Sequence, residues 1–262
     1  MQDRREGQKM ERLKNKVIVV AGAGGIGAGL AVRFAQEGAS VVLGDINADA
    51  AQSVVERIRA NGGTAVATSL DGAEDSSCKE LIGLAVSQFG GLDGIHVNFA
   101  ELGDGSRAVD ILDLDMADFD EAMRVNTRGY VLCTRHAIPA LLERGGGAIV
   151  YTSSNAAYVG EPVRVAYAMS KGAILPLMRH VASRFGSEGI RANAIAPGVI
   201  MHPRLESAMP EAAMAAFLQQ TVLKRLGTPE HIAALAALLM ADEGNFITGQ
   251  VLSVDGGDFQ RP

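Results

Sequence analysis

From Lys16 onward, short apolar and β-branched runs alternate with Ala-rich stretches whose apolar positions recur every three or four residues, with Gly, Asn and Asp between them. The runs predict strands at Val17 to Ala21, Ser40 to Asp45, Thr64 to Leu70, Gly94 to Asn98, Ala148 to Ser153, Ile190 to Ile195 and Gln250 to Val254. Several are apolar throughout instead of alternating, the pattern of strands covered on both faces. The helical stretches between them predict right-handed crossovers and an α/β, doubly wound sheet of about seven mainly parallel strands flanked by helices. Two long helices are expected, from Asp115 to Glu143 and from Ala166 to Ser187.

The 262 residues suit one such domain, expected over 13–262. The opening Met1 to Arg12 mixes Arg4, Arg5, Lys9 and Arg12 with Asp3, Glu6 and Glu11, and is expected as a flexible extension. It lacks a signal peptide's apolar core, and no apolar run reaches membrane-spanning length, so a cytoplasmic protein with no membrane partner is expected. A net charge of −6 argues against nucleic acid, which needs a basic stripe to neutralise phosphates. Cys78 and Cys133 stand far apart without metal-type spacing and read as buried thiols. The five histidines show no ligand spacing either, so no catalytic metal is expected.

The first chemical signal follows the first strand. Gly22-Ala23-Gly24-Gly25-Ile26-Gly27 satisfies G-x-G-x-x-G and runs into an amphipathic stretch, Leu30 to Glu37, the context of a Rossmann-type dinucleotide site. Glycines there permit a tight turn and close backbone approach to a pyrophosphate, while the helix N-terminus offers unpaired N–H groups. Asp45 ends the second strand, roughly 20 residues on, where a carboxylate can hydrogen-bond an adenosine ribose. It would repel a 2′-phosphate, and Ile46 adds no compensating cation, so NAD is the expected cofactor. The competing reading of Asp45 is a cap on the following turn.

The second signal is Tyr167-Ala168-Met169-Ser170-Lys171, because residues four apart share one helix face. Tyr130, Tyr151 and Tyr158 have no lysine four positions later. A neighbouring ammonium favours phenolate, which would let Tyr167 exchange protons; the alternative is a core aromatic beside a surface lysine.

With these motifs the chain resembles the short-chain dehydrogenase/reductase family from Leu13 to about Gly257. Ser154 stands thirteen residues before Tyr167, and Asn126 lies in Val125-Asn126-Thr127 at a family-like spacing. Further matching segments are Ala196-Pro197-Gly198-Val199-Ile200, Arg225 to Glu230, and Thr248-Gly249-Gln250 with Val254-Asp255-Gly256-Gly257. The resemblance implies hydride transfer between NAD(H) and an alcohol/carbonyl pair, with Tyr167 as acid/base and Ser154 holding the substrate oxygen. It further implies that Lys171 lowers the tyrosine's pKa and binds nicotinamide ribose, and that Asn126 holds a water linking Lys171 to solvent. Ser154 capping a turn and Asn126 satisfying helix backbone are the ordinary alternatives. Asp71 with Gly72 is implied at the adenine, Pro197 to Ile200 at the nicotinamide, and a homotetramer or homodimer as the assembly.

Three segments depart from the family pattern. The glycine loop is one residue shorter than T-G-x-x-x-G-x-G, with Ala21 in place of threonine. The family's N-N-A-G reads Val97-Asn98-Phe99-Ala100, which keeps one asparagine and puts bulk near the adenine side. His202 stands where relatives carry a threonine that bonds the nicotinamide carboxamide; it could substitute, or point to solvent. Substrate selection is expected from Glu101 to Asp115, Tyr158 to Arg164, and a loop and amphipathic helix over Met201 to Phe217. The activity expected is secondary-alcohol dehydrogenation, with 3-oxoacyl-thioester reduction and a non-catalytic NAD-binding regulator as alternatives.

Overall fold

A computed structural model describes residues 11–101 and 109–260. Its seven strands form one parallel sheet: β1 (Val17–Ala21), β2 (Ser40–Asp45), β3 (Thr64–Ser69), β4 (Gly94–Val97), β5 (Gly147–Thr152), β6 (Ile190–Pro197) and β7 (Val251–Val254). Their order in the sheet is β3-β2-β1-β4-β5-β6-β7, and every neighbouring pair is parallel. The chain turns back between β1 and β4. The carboxyl ends of these two strands therefore open the crevice in which doubly wound sheets place ligands.

Because side chains alternate across a strand, each strand feeds two cores. Val17, Val19, Ile95, Val97, Ile149 and Tyr151 pack against α3 (Asp75–Phe89), α5 (Gly129–Glu143) and α6 (Val165–Phe185). Ile18, Val20, Val41, Leu43 and Val150 pack against α1 (Ile26–Gln36), α2 (Ala48–Ala60) and α9 (Pro229–Met240). Both faces are thus apolar, which explains strand runs with no polar alternation. Gly29 lets α1 close on α9: a Cβ there would lie 2.5 Å from the Pro229 side chain.

Three expectations need correction. The helix expected over Asp115 to Glu143 is α4 (Met116–Met123), a π-turn over Arg124–Arg128, and α5. The wide turn breaks the helical repeat at Asn126, the kind of interruption that tends to mark functional positions. The stretch after Met201 holds two short helices, α7 (Pro203–Ala208) and α8 (Glu211–Gln220), separated by Pro210. The domain also begins before Leu13. Arg12 donates twice to Glu37 at 2.6 Å, and Leu13 is fully buried. Burial would raise the Glu37 carboxyl, but Arg12 and Arg33 hold it below the usual range. The first ten residues, and residues 102–108 of the segment expected to select substrate, lie outside the described residues.

Candidate active site

The glycine loop sits at the carboxyl end of β1. Gly22 adopts φ 104°, and a Cβ there would lie 2.7 Å from the Phe99 nitrogen. A Cβ on Gly27 would lie 1.8 Å from the Gly22 carbonyl oxygen, so no side chain fits. Gly24 faces open space. Gly25, at φ 37°, precedes Ile26, the first residue of α1, whose first turn carries no acidic residue and no side-chain cap. That leaves an electropositive helix end facing the crevice.

Asp45 accepts from Ala23 N at 2.6 Å and from Asn47 N at 2.8 Å. The turn-capping reading is therefore correct, and the same carboxylate also ties the shortened loop to β2. Each oxygen keeps a second lone pair for a ligand hydroxyl. Ile46 beside it is exposed. Asp71 accepts from Ala73 N at 2.9 Å and so shapes the turn through Gly72.

Phe99 packs against that turn and against α5. Its ring lies against Gly72, where a Cβ would meet it at 2.4 Å, against Gly129, and edge-on to Tyr130 at 5.1 Å between centroids. Asn98 keeps a polar role, with Nδ2 donating to Gly22 O at 3.3 Å and Oδ1 accepting from Thr152 Oγ1 at 2.9 Å.

Across the crevice, β5 and α6 bring Ser154, Tyr167 and Lys171 together. Ser154 is extended, its Oγ accepts from Ala156 N at 3.2 Å, and its hydroxyl stands beside the Tyr167 phenol. It therefore caps a turn and also meets the tyrosine. Burial raises the Tyr167 pKa, while Ser154 and then the Arg164 guanidinium draw it down. Arg164 lies 5.7 Å over the phenol ring.

Lys171 departs from the expected arrangement. Its Nζ stands 5.9 Å from the Tyr167 ring centre and instead donates to Tyr130 Oη and Thr152 O, both at 3.0 Å. The side chain is fully buried, and that burial lowers its pKa to about 7. Asn126 is buried as well. Its Oδ1 accepts from Glu101 N at 2.6 Å, and its Nδ2 donates to Glu101 O and Ser170 Oγ, so its side chain pins the chain after β4 to α6.

Ile200 is buried in the core beside α1 and α9, bridged to Gly227, while Pro197 and Gly198 close β6 against β7 and Asp255. His202 neither points to solvent nor stands free. Its Nδ1 caps α7 by accepting from Leu205 N, and its ring lies against Gly25. A cavity of about 720 Å³ lies behind this contact, between Gly29, Arg57, His202, Leu218 and Pro229; Asn126, Ser154, Tyr167 and Lys171 are not among its lining residues.

Three buried polar residues beside Lys171 were not marked as site residues in the sequence: Tyr130, Thr152 and His96. His96 Nε2 pairs with Thr152 Oγ1 at 2.8 Å, and burial followed by the charge on Lys171 lowers its pKa to about 3. One signal was available for Tyr130, because it stands four residues after Asn126. Cys78 and Cys133 are both buried and free, with their sulfurs 3.5 Å apart. Among the described residues there is no acidic or His/Cys cluster suited to a metal, and no helix is long and apolar enough to cross a membrane.

A glycine-walled crevice at the switch point of a parallel sheet, facing a serine–tyrosine pair, defines a dinucleotide-type oxidoreductase. A family model described as enoyl-(acyl carrier protein) reductase matches residues 20–258. The 7α-hydroxysteroid dehydrogenase of Escherichia coli K12 is 38% identical over 251 residues, covering 95% of this chain and 96% of its own. A solved 7α-hydroxysteroid dehydrogenase in complex with NADH and 7-oxo glycochenodeoxycholic acid superposes with a TM-score of 0.89 at 36% identity, over 97% of this chain and 98% of that one. A short-chain type dehydrogenase/reductase from Mycobacterium marinum superposes with a TM-score of 0.86 at 26% identity, over 96% and 98%. The chain belongs to the short-chain dehydrogenase/reductase family.

Proposed function

We propose that this protein is an NAD(H)-dependent dehydrogenase interconverting a secondary alcohol on an alicyclic ring with its ketone. The observation that carries the reading is the meeting of Ser154 and Tyr167 at the crevice, where the serine draws the phenol's pKa down, with Lys171 buried nearby. A dinucleotide suits the residues present: Gly22 and Gly27 admit no Cβ, Gly24 opens on free space, and Asp45 offers a carboxylate where a 2′-phosphate would be repelled. Gly22, Gly24, Gly25, Ile26 and Gly27 would hold the pyrophosphate. Asp45, Ile46, Asp71, Gly72 and Asn98 to Ala100 would frame the adenosine. Pro197, Gly198, Ile200, His202, Tyr167 and Lys171 would face the nicotinamide end. When bound, NAD supplies or accepts the hydride.

In the oxidative direction the Tyr167 phenolate takes the proton of the substrate hydroxyl; in reduction the phenol returns a proton to the carbonyl oxygen. Ser154 Oγ donates to that oxygen and fixes its distance from Tyr167. A positive charge on Lys171 favours the phenolate through space, since no direct bond joins the two. Asn126 positions α6 by holding Ser170 and the Glu101 backbone. The ring-alcohol class is argued from the hydroxysteroid dehydrogenase likeness and from a lid rich in Met201, Met209 and Met214, side chains that adapt to apolar ligands. A cytoplasmic homodimer or homotetramer is part of the same reading; exposed Val131 on α5 and Met169 on α6 are apolar surface that an assembly would cover.

Absorbance turnover with NAD and NADP over a panel of cyclic secondary alcohols tests the reading. NAD-linked turnover that Tyr167→Phe abolishes is expected. Tight NADH binding without turnover of any panel member would replace it with the regulatory alternative.

A further inference from the structure

The family reading accounts for Lys171 but not for what holds it. Resting on that reading, we propose that Tyr130 is a positioning residue for Lys171: its buried hydroxyl fixes the lysine nitrogen beneath Tyr167 and helps it keep its proton.

The geometry converges on one oxygen. Tyr130 Oη lies 3.0 Å from Lys171 Nζ, 3.0 Å from Phe99 O and 3.1 Å from Thr152 O. A phenol has a single proton, which can go to only one of the two carbonyls, so its lone pairs are left to accept from the lysine. Thr152 O, a backbone atom, is the other acceptor at Nζ. Tyr130 is thus the one side chain hydrogen-bonded to Nζ among the described residues.

Packing sets where that oxygen sits. The Tyr130 ring is fully buried, edge-on to Phe99 and stacked 6.2 Å from Tyr151, whose own hydroxyl is engaged by Thr134 at 2.9 Å. Phe99 in turn fits only because Gly72 and Gly129 carry no side chain. The bulk that Phe99 adds to the family pattern therefore serves this arrangement, with the aromatic ring bracing the tyrosine that braces the lysine.

The titratable groups facing Nζ are Tyr167 from its own helix, Tyr130 and behind it Cys133 from α5, Tyr151 from β5 and His96 from β4. No carboxylate is among them. Burial holds Tyr130 well above the ordinary phenol range and His96 near 3, so both are neutral at physiological pH. With Lys171 at about 7, its charge at neutral pH depends on few acceptors, and losing one favours the free amine.

The experiment uses the full chain labelled with ¹³Cε-lysine, with the Lys171 resonance assigned by its loss in Lys171→Met. In Tyr130→Phe, which keeps the ring and removes only the oxygen, the Lys171 titration midpoint should fall by about one pH unit, as expected for one lost hydrogen bond to a charged group. Turnover at pH 7 should fall roughly tenfold in kcat with KM within about twofold, because a group acting through Lys171 alters proton transfer and leaves substrate binding alone. An unmoved midpoint overturns the proposal whatever the turnover does. A shifted midpoint in an enzyme that oxidises no alcohol upholds the Tyr130–Lys171 coupling and removes the dehydrogenase reading instead. Should Tyr130→Phe fail to fold, a ring-fluorinated tyrosine at 130 keeps the shape and weakens the acceptor; it must shift the midpoint downward too, and no shift counts against the proposal.

Discussion

The two walls of the crevice solve different problems. On the β1–β3 side what matters is missing side chains: Gly22 and Gly27 have no room for a Cβ, and the polar groups are backbone amides tied by one carboxylate, Asp45. On the β4–β6 side what matters is buried polarity: Lys171, Asn126 and Tyr130 lie in or beside the core hydrogen-bonded to named neighbours, and His96 is paired through Nε2 while its Nδ1 is buried without a partner. One wall is specified by shape and tolerates no added atom. The other is specified by charge and tolerates no lost partner, because a buried polar group without its bond costs more than the bond contributes when made. Substitutions should therefore fail in different ways on the two sides.

The largest expected effect is on the charged wall. Tyr167→Phe should lower kcat by about 10²–10⁴, the range for a removed acid/base, while NADH affinity stays within about twofold by fluorescence titration. Loss of NADH binding in that variant would mean that the tyrosine shapes the crevice.

Next come two glycines that separate fold from ligand on the other wall. Gly27→Ala places a methyl 1.8 Å from Gly22 O, a backbone clash that no rotamer relieves, and should destabilise the fold by about 1–3 kcal/mol or more in urea titrations. Gly24→Ala meets nothing within 4 Å and should change stability by no more than about 0.5 kcal/mol. If Gly24 faces the pyrophosphate, its substitution should still weaken NADH binding at least tenfold. Equal losses of stability in the two variants would erase the distinction.

Asp45→Ala should act on both fold and cofactor choice. It leaves Ala23 N and Asn47 N without their acceptor, at a cost of about 1–2 kcal/mol, and it removes the charge that repels a 2′-phosphate. The ratio of NAD to NADP turnover should fall roughly tenfold, and an unchanged ratio would move cofactor choice elsewhere.

The shape wall was the more legible in sequence. Glycine spacing, strand runs and Asp45 are local patterns, so the strands fall within a residue or two of their expected ends at most positions. That Ser154, Tyr167 and Lys171 come close together was legible too, through fixed spacing. What spacing could not show is which way a side chain turns. Phe99 packs against the core because Gly72 and Gly129, distant in sequence, left it a place. Lys171 turned to Tyr130 and Thr152 because α5 and β5 supply acceptors nearer than the phenol. The π-turn at Asn126 was hidden for a related reason: a single wide turn leaves the apolar repeat on either side almost unchanged, so the segment reads as one helix.

The smallest effect probes the charged wall through stability alone. Lys171 is held at about 7 by burial against 10.5 in the unfolded chain, so between those values the unfolded state binds a proton that the folded state does not. Stability must then rise with pH across that window, by at most about 1.4 kcal/mol per pH unit. Below pH 7 both states are protonated and the buried charge exacts its full penalty; above 10.5 both are neutral and the penalty is gone. Lys171→Met removes this dependence but leaves Tyr130 Oη and Thr152 O without their donor, an opposing cost of about 1–3 kcal/mol. The net expectation is a variant about 1–3 kcal/mol more stable than wild type at pH 7, an advantage that vanishes and then reverses as pH climbs toward 10. Melting curves at several pH values check it. Parallel pH slopes for the two proteins would show that Lys171 keeps its ordinary pKa in the fold, and with it that the burial seen at this wall does not govern its charge.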